Sequence, residues 1–131
     1  MQTMTRGNES SAATGHLLVA FELSQRWWKV GFTTGMGHRV RTRRIAAGAL
    51  EPLAQAIADA KTMCGLAAEA RVISCYEAGR DGFWLHRYLM GRGDTNYVVD
   101  SASIEVDRRA RRTKTDAVDL RGLLALLARY V

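Results

Sequence analysis

The chain has 131 residues, of which 47% are hydrophobic, so it is long enough to fold as one domain around a buried core. Lysine and arginine number 19 against 13 acidic residues, and the net charge of +6 suits a polyanion partner, either nucleic acid or an anionic membrane surface. No apolar run approaches the roughly 18 residues that span a bilayer, and the opening residues lack the apolar centre of a signal peptide, so we expect a cytoplasmic protein. Cys64 and Cys75 do not have the spacing of a zinc-finger motif, and two cysteines are too few for a framework of several disulfides. Reduced, packed thiols are therefore predicted.

The first part of the chain predicts a polar lead-in followed by two strands. Residues 1–14 are small and polar, which predicts a flexible segment. The apolar run at residues 16–21 predicts a buried strand that ends at the acid Glu22. A second strand follows after a turn and contains Trp27 and Trp28, of which only one can face the core. Strand packing is the favoured role for this pair, and base stacking is the alternative.

A third predicted strand is strongly basic. Residues 38–45 alternate, so every second side chain shares a face. One face carries Arg39, Arg41 and Arg43, and the other carries Val40, Thr42 and Arg44. A solvated or edge strand is the usual reason for such a face, and phosphate binding by the first three arginines is the alternative. Short turns join this strand to the two before it, which predicts an antiparallel meander.

The second half of the chain alternates helices with strands. Residues 49–63 repeat apolar positions at helical spacing, and residues 71–76 predict another buried strand that ends at an acid, Glu77. Residues 82–90 predict a second helix, and residues 96–99 a fifth strand. The order strand-strand-strand-helix-strand-helix-strand-helix predicts the α/β class, with a mixed five-stranded sheet and helices on both of its faces.

A basic run precedes the last predicted helix. It comprises Arg108, Arg109, Arg111, Arg112 and Lys114. If one of the two threonines in this run caps a helix that starts at about residue 114, Asp116 and Asp119 lie in its first turn, about 4.5 Å apart along the axis and on one face. Such a pair can bind a divalent metal beside cations that bind nucleic-acid phosphates. Acids in a first turn also complement the helix dipole, which is the simpler explanation.

The last helix has more apolar positions than one buried stripe needs. They are Val118, Leu120, Leu123, Leu124, Leu126 and Leu127. Part of the helix is therefore expected to pack against something outside this chain, either a second copy in a homo-oligomer or a further domain.

The predicted sheet also places acids where ligands collect, beyond the carboxyl ends of its strands. Glu22 and Glu77 stand at two such ends. If the last helix lies across that edge, Asp116 and Asp119 complete a cluster of four carboxylates. Two carboxylates about 5 Å apart repel by roughly 3 kcal/mol at an effective dielectric near 20, and a divalent cation relieves this repulsion. Oxygen ligands favour Mg²⁺ or Mn²⁺, and ions about 4 Å apart support phosphodiester cleavage.

Four segments carry a resemblance to a known family. They are Glu22-Leu23-Ser24, Tyr76-Glu77-Ala78-Gly79, Val98-Val99-Asp100-Ser101 and Lys114-Thr115-Asp116-Ala117-Val118-Asp119. Together they resemble the N-terminal domain of the DEDD-type insertion-sequence transposases, which are relatives of site-specific invertases. The resemblance covers roughly residues 16–131 and implies a RuvC-like, ribonuclease H-like domain at residues 15–131. It further implies Mg²⁺-dependent cleavage and transfer of DNA strands, with DNA and a structured guide RNA as partners.

The resemblance also implies which residues act. Glu77, Asp116 and Asp119 match three of the family's four catalytic, metal-binding acids, and Glu22 stands where the family has an aspartate. Glutamate is longer by one methylene, roughly 1.5 Å, and a misplacement of about 1 Å can cost on the order of a hundredfold in rate. Gln25 also replaces a basic residue of the family.

Two alternatives to a metal-dependent recombinase domain therefore stay open. The first is a catalytically weakened module of the same fold that binds nucleic acid or dimerises. The second is a small kinase of the actin-like type, which shares the sheet order but needs a glycine-rich phosphate loop that this sequence lacks. The family's C-terminal domain, which carries a serine implicated in strand exchange, is not part of this sequence.

Overall fold

The computed structural model describes residues 15–35, 37–79, 83–100 and 119–131. Their elements, in chain order, are β1 (His16–Leu23), β2 (Trp27–Thr33), β3 (Arg41–Ala46), α1 (Leu50–Met63), β4 (Arg71–Glu77), α2 (Trp84–Gly91), β5 (Thr95–Val99) and α3 (Leu120–Tyr130). This sequence of elements confirms the predicted α/β class. The predicted lead-in at residues 1–14 lies outside the described residues.

All five strands belong to one mixed sheet with the spatial order β3-β2-β1-β4-β5. The first three strands form the predicted antiparallel meander, and β4 and β5 run parallel to β1. Because β1 and β4 are parallel neighbours, their carboxyl ends lie at the same edge of the sheet. The register pairs Phe21 with Tyr76, close to both ends.

The central strand β1 is buried on both sides, which explains its continuous apolar run. Its odd-numbered residues Leu17, Val19 and Phe21 belong to the core under α1 and α2. Its even-numbered residues Leu18 and Ala20 belong to a second core under α3. Side chains alternate between the two faces of a strand, so the sheet has an α1 face, which α1 and α2 cover, and an α3 face. Within each strand, every second residue lies on the same face.

Aromatic rings fill much of the α1 face. Phe21 meets the rings of Trp28 and Tyr76 edge to face, with centroids 6.4 Å apart in both pairs. Trp28 also packs against Trp84 of α2, at 5.7 Å. Trp28 is 1% exposed and Trp27 is 46% exposed, which confirms that only one tryptophan of this pair faces the core.

The third strand is shorter than predicted. It starts at Arg41 instead of residue 38, because a turn occupies the preceding positions. The backbone N–H of His38 donates to the carbonyl oxygen of Gly35 at 3.1 Å, and Gly37 has φ of 79°, a value that glycine adopts without strain. Arg39 consequently lies in the connection and not on the strand.

The last helix begins at Leu120, and Asp119 is its N-cap. The Asp119 backbone is extended (φ −78°, ψ 175°), and its Oδ1 accepts a hydrogen bond from the N–H of Gly122 at 2.9 Å. The prediction that Asp119 lies within the first turn of a helix starting near residue 114 is therefore wrong. Aspartate is among the best N-cap residues, because its carboxylate satisfies an N–H group that the helix leaves unpaired. Asp116 lies outside the described residues.

The leucines of α3 are all buried against the sheet of this same chain. They are Leu120, Leu123, Leu124, Leu126 and Leu127, and none is more than 8% exposed. The helix lies so close to β2 that a Cβ atom on Gly31 would be 3.2 Å from Leu124 Cδ1. Its other end reaches β5, where Leu126, Leu127 and Tyr130 line a cavity of about 390 Å³. A helix that crosses the sheet from β2 to β5 explains the wide apolar surface, so these leucines do not require a second subunit.

None of the described helices is long and apolar enough to cross a bilayer. Cys64 and Cys75 are free thiols, and Cys75 is buried in the α3 core, which confirms the prediction for the cysteines.

Candidate functional site

Two of the predicted acids lie side by side on the α3 face. Glu22 is near the carboxyl end of β1 and Glu77 is at the end of β4, and both are partly exposed. One step beyond the pair Phe21–Tyr76, the register places Glu22 next to Glu77, on neighbouring strands about 4.8 Å apart. Glu22 is two residues after Ala20 in β1, and Glu77 is two residues after Cys75 in β4. Because Ala20 and Cys75 belong to the core under α3, both acids lie on the α3 face. We call Glu22 and Glu77 the acid pair.

The third predicted acid, Asp119, starts the helix that covers this face. Its neighbour Leu120 packs over Gly31, whose partner in the ladder is Ala20, two residues before Glu22. Asp119 therefore enters the structure near the same end of the sheet, with one carboxylate oxygen bound to the N–H of Gly122.

The complete set of four acids stays a prediction. Asp116 lies outside the described residues, three positions before the N-cap in sequence. Among residues 15–35, 37–79, 83–100 and 119–131, no three His, Cys, Asp or Glu side chains are grouped closely enough to hold a metal ion. Within that part of the chain, the site consists of the acid pair, with the N-cap of α3 nearby.

Two cations continue the row that the acid pair begins. Across the sheet, Glu22 pairs with Lys29 of β2, and Lys29 pairs with Arg44 of β3. The row therefore reads Glu77, Glu22, Lys29, Arg44 on four adjacent strands. Lys29 and Arg44 are exposed, and the Arg44 guanidinium carbon lies 4.7 Å from the centre of the Trp27 ring. Sequence reasoning missed both cations, although the short turn between β1 and β2 would have given the pairing of Glu22 with Lys29.

The arginines predicted to bind nucleic acid lie elsewhere. Arg41 and Arg43 alternate with the buried Ile45 and so face α1, on the opposite side of the sheet from the acid pair. Together with Arg39 they line a groove of about 360 Å³ beside α1. Arg43 Nη1 is 3.0 Å from Asp59 Oδ2. Hydrogen bonds from Gln55 and from this arginine hold the pKa of Asp59 below its ordinary value.

The remaining predicted cations, Arg108, Arg109, Arg111, Arg112 and Lys114, lie outside the described residues. A role in binding nucleic acid remains a prediction for all eight basic residues.

The chain is similar to a transposase. It is 36% identical over 123 residues to the "Putative transposase y4rJ" of Sinorhizobium fredii, an alignment that covers 88% of the chain and 30% of that relative. This similarity supports a transposase-family assignment. The chain spans less than a third of the relative's length, so the activity of the longer protein is not carried over by the alignment alone. No protein-family model matches the sequence.

A solved structure with some likeness is YeaZ from Pseudomonas aeruginosa. It superposes with a TM-score of 0.46 at 19% identity, over 76% of this transposase-like chain and 49% of YeaZ. A likeness at this level carries no conclusion about function.

Two buried polar side chains of β4, Ser74 on the α1 face and Cys75 on the α3 face, are structural and not nucleophiles. Ser74 is fully buried, and its hydroxyl donates to Asn96 Oδ1 at 2.7 Å, while Asn96 Nδ2 lies 2.9 Å from His86 Nδ1. Cys75 is 1% exposed, and burial raises the pKa of its thiol to about 12. A buried hydroxyl and a buried, protonated thiol cannot attack a substrate, so neither Ser74 nor Cys75 is a candidate nucleophile.

Proposed function

We propose that the chain is the RuvC-like, metal-binding domain of a DNA transposase. In this proposal Glu22, Glu77, Asp116 and Asp119 bind Mg²⁺ or Mn²⁺, and the domain takes part in cleaving and transferring DNA strands. The observation that carries the proposal is the acid pair, which two parallel strands present side by side on one face of the sheet. The similarity to the transposase of Sinorhizobium fredii supports DNA as the substrate.

The donor set fits a hard divalent cation. The acid pair supplies carboxylate oxygens only, which Mg²⁺ and Mn²⁺ prefer, and a divalent cation between two carboxylates on neighbouring strands offsets their mutual repulsion. A bound ion would activate water or a hydroxyl group and stabilise the leaving oxygen. Two features of the fold support this proposal: β1 and β4 hold the two glutamates in register, and α3 covers the sheet beside them.

The other elements of the proposal rest on the resemblance. It supports a structured guide RNA as a partner and assembly of more than one copy. Because the leucines of α3 are buried within the chain, the helix itself gives no reason to expect such an assembly.

A second candidate function is a nucleic-acid-binding or dimerisation module of the same fold without catalysis. It is favoured by Glu22, whose longer side chain stands where the family has an aspartate. In this case DNA or RNA binding is retained, and divalent ions have no specific effect on the domain.

Metal-dependent melting separates the two candidates. Mn²⁺ at about ten times its dissociation constant stabilises a one-site protein by about 1.4 kcal/mol, which raises the melting temperature by several degrees in a domain of this size. We expect this shift in the unmodified chain and its loss in Glu77→Gln and Asp116→Asn. The matched control is Glu69→Gln, an exposed acid just before β4, which should keep the shift. An unmodified chain that melts at the same temperature with and without Mn²⁺ would favour the second candidate.

A further inference from the structure

We propose that Lys29, Arg44 and Trp27 form a binding surface for one DNA strand beside the acid pair. We call these three residues the cationic shelf. For the identity of its ligand, the inference rests on the proposed function. It adds a binding site with defined residues on the same face of the sheet.

Position is the first argument for the cationic shelf. Lys29 is the ladder partner of Glu22, and Arg44 is the ladder partner of Lys29, so they lie about one and two strand spacings, roughly 5 and 10 Å, from the acid pair. A phosphodiester bound between the carboxylates would therefore have cations for its neighbouring phosphates in one direction along the row. Nucleic-acid strands bind to basic tracks of this kind through their backbone phosphates.

The contact between Arg44 and Trp27 is the second argument. The guanidinium carbon is 4.7 Å from the ring centre, a cation–π distance, so the ring holds the arginine in place. Guanidinium binds oxyanions through N–H groups at its edge, and stacking leaves that edge available for a phosphate. Trp27 is 46% exposed, so part of its surface is also available to a base.

The third argument is accessibility. Leu120 at the start of α3 packs over Gly31, whereas Lys29, two positions along β2, is exposed. Trp27 and Arg44 lie further from this contact and are also exposed. The helix thus buries the apolar part of the α3 face up to Gly31, and the cationic shelf occupies the part beyond it.

The arginines of the α1 face are less suited to the same strand. Arg43 is already paired with Asp59 at 3.0 Å, which offsets its charge. The sheet itself separates Arg41 and Arg43 from the acid pair, so a strand bound to them would have to pass around the edge of β3 to reach Glu22. We therefore assign the strand that reaches the acid pair to the cationic shelf.

Binding without metal tests the cationic shelf directly. The probe is a fluorescein-labelled single-stranded oligothymidylate of about 20 nucleotides, titrated by fluorescence anisotropy in EDTA. We expect Lys29→Gln and Arg44→Gln each to weaken binding about five- to tenfold and to reduce the slope of log affinity against log salt by about 0.7. The matched control is Arg71→Gln, which removes an exposed cation from the same face at the opposite end of β4, about 20 Å away, and should leave affinity almost unchanged.

Substitutions of Trp27 test its positioning role. Trp27→Leu keeps the net charge but removes the ring, so we expect an affinity loss of a few fold with little change in the salt slope. Trp27→Phe should restore most of the affinity, which general destabilisation would not explain. Equal losses for Lys29→Gln, Arg44→Gln and Arg71→Gln would overturn the proposal, because they would indicate non-specific attraction to net charge.

These outcomes are separable from the fate of the proposed function. If the cationic shelf variants bind normally while Glu77→Gln loses Mn²⁺ stabilisation, the shelf is refuted and the metal site stands. If Mn²⁺ has no effect but the shelf variants bind weakly, the shelf stands without catalysis. A requirement of Lys29 and Arg44 for binding to anionic lipid vesicles, with oligonucleotide binding unaffected, would also refute a nucleic-acid shelf.

Discussion

Glu22 and Lys29 are direct partners across the antiparallel ladder of β1 and β2, on the α3 face but beyond the part that the helix buries. An acid proposed to bind a divalent cation thus has a lysine as its partner on the next strand. The pair marks the point in the sheet where the row changes from acidic to basic. It also gives a direct electrostatic prediction about metal affinity.

Removing the charge of Lys29 should strengthen metal binding. A monovalent and a divalent cation about 7 Å apart repel by roughly 1–2 kcal/mol at a dielectric between 60 and 80. Lys29→Gln should therefore lower the dissociation constant for Mn²⁺ by about 5- to 30-fold, measured by calorimetry at low salt. Arg71→Gln is the control and should not change it, since Arg71 is at the far end of the sheet. Unchanged affinity in Lys29→Gln would place the ion away from Glu22.

Filling the space above Gly31 should destabilise the fold. A Cβ atom there would be 3.2 Å from Leu124 Cδ1 and 3.4 Å from Leu120 Cδ1, so the branched side chain in Gly31→Val has to push α3 away from the sheet. We expect a loss of about 1–3 kcal/mol in the free energy of unfolding, measured by urea denaturation. Gly79→Ala, where an added Cβ meets nothing within 4 Å, should change it by less than about 0.5 kcal/mol. A stable Gly31→Val would mean that α3 does not lie this close to β2.

The two cysteines should differ strongly in reactivity. Burial raises the pKa of Cys75 to about 12, so almost none of it is thiolate at neutral pH, whereas Cys64 is partly exposed. In the native protein, we expect a disulfide reagent to modify Cys64 at least about a hundred times faster than Cys75. Both should react at similar rates in urea. Rapid labelling of Cys75 in a native Cys64→Ala variant would show that α3 leaves the sheet easily.

The buried hydrogen bond between Ser74 and Asn96 should contribute measurably to stability. Ser74 is fully buried and donates to Asn96 Oδ1 at 2.7 Å, so Ser74→Ala leaves that oxygen without this partner in a site that excludes water. We expect a loss of about 1–3 kcal/mol. Thr62→Ala is the comparison, because its exposed hydroxyl bonds only within α1, and no loss is expected there. Equal stability of the two variants would argue that water reaches the hydrogen bonds of Ser74 and Asn96.

Asp94 and Asp59 should respond to pH in opposite directions. Burial raises the pKa of Asp94 against the opposing charges of Arg92 and Lys61, so its carboxylate is disfavoured in the folded state. Asp94→Asn should therefore stabilise the protein at neutral pH, and this gain should vanish as the pH falls below the ordinary aspartate pKa of about 3.9. The pKa of Asp59 is lowered by Gln55 and Arg43, so Asp59→Asn should cost stability at neutral pH, and this cost should shrink as the pH falls through the lowered pKa. Melting curves at about pH 7 and pH 3 compare the two; a destabilised Asp94→Asn at pH 7 would mean that its ion pair outweighs burial.

Much of the fold was predictable because its strands follow simple patterns. The continuous apolar run of β1 predicted a buried strand, and the acids Glu22 and Glu77 follow the apolar runs of two strands that proved to be parallel neighbours. Helical periodicity in α1 and the short turns of the meander then gave the order of the elements. These signals lie within short stretches of sequence, so they can be recognised without knowing which elements pack against each other.

The failures concern features that depend on tertiary context. Several residues before the last helix are good N-caps, and the sequence alone did not identify Asp119 as the one used. The leucines of α3 looked too numerous because a helical pattern carries no information about the width of the sheet it covers. Lys29 and Arg44 were missed because their proximity to the acids is a property of strand register, which appears only when positions are counted across the turns.

The row of Glu77, Glu22, Lys29 and Arg44 changes from negative to positive across four adjacent strands, so this edge of the sheet has an uneven distribution of charge. Two negative side chains on β4 and β1 are followed by two positive ones on β2 and β3. Taken by themselves, these four side chains attract a polyanion more strongly towards β3 than towards β4. If the acid pair binds a divalent ion as proposed, the charge of that ion offsets the two carboxylates, and the concentrations of salt and metal would then decide whether the strand or the metal binds first.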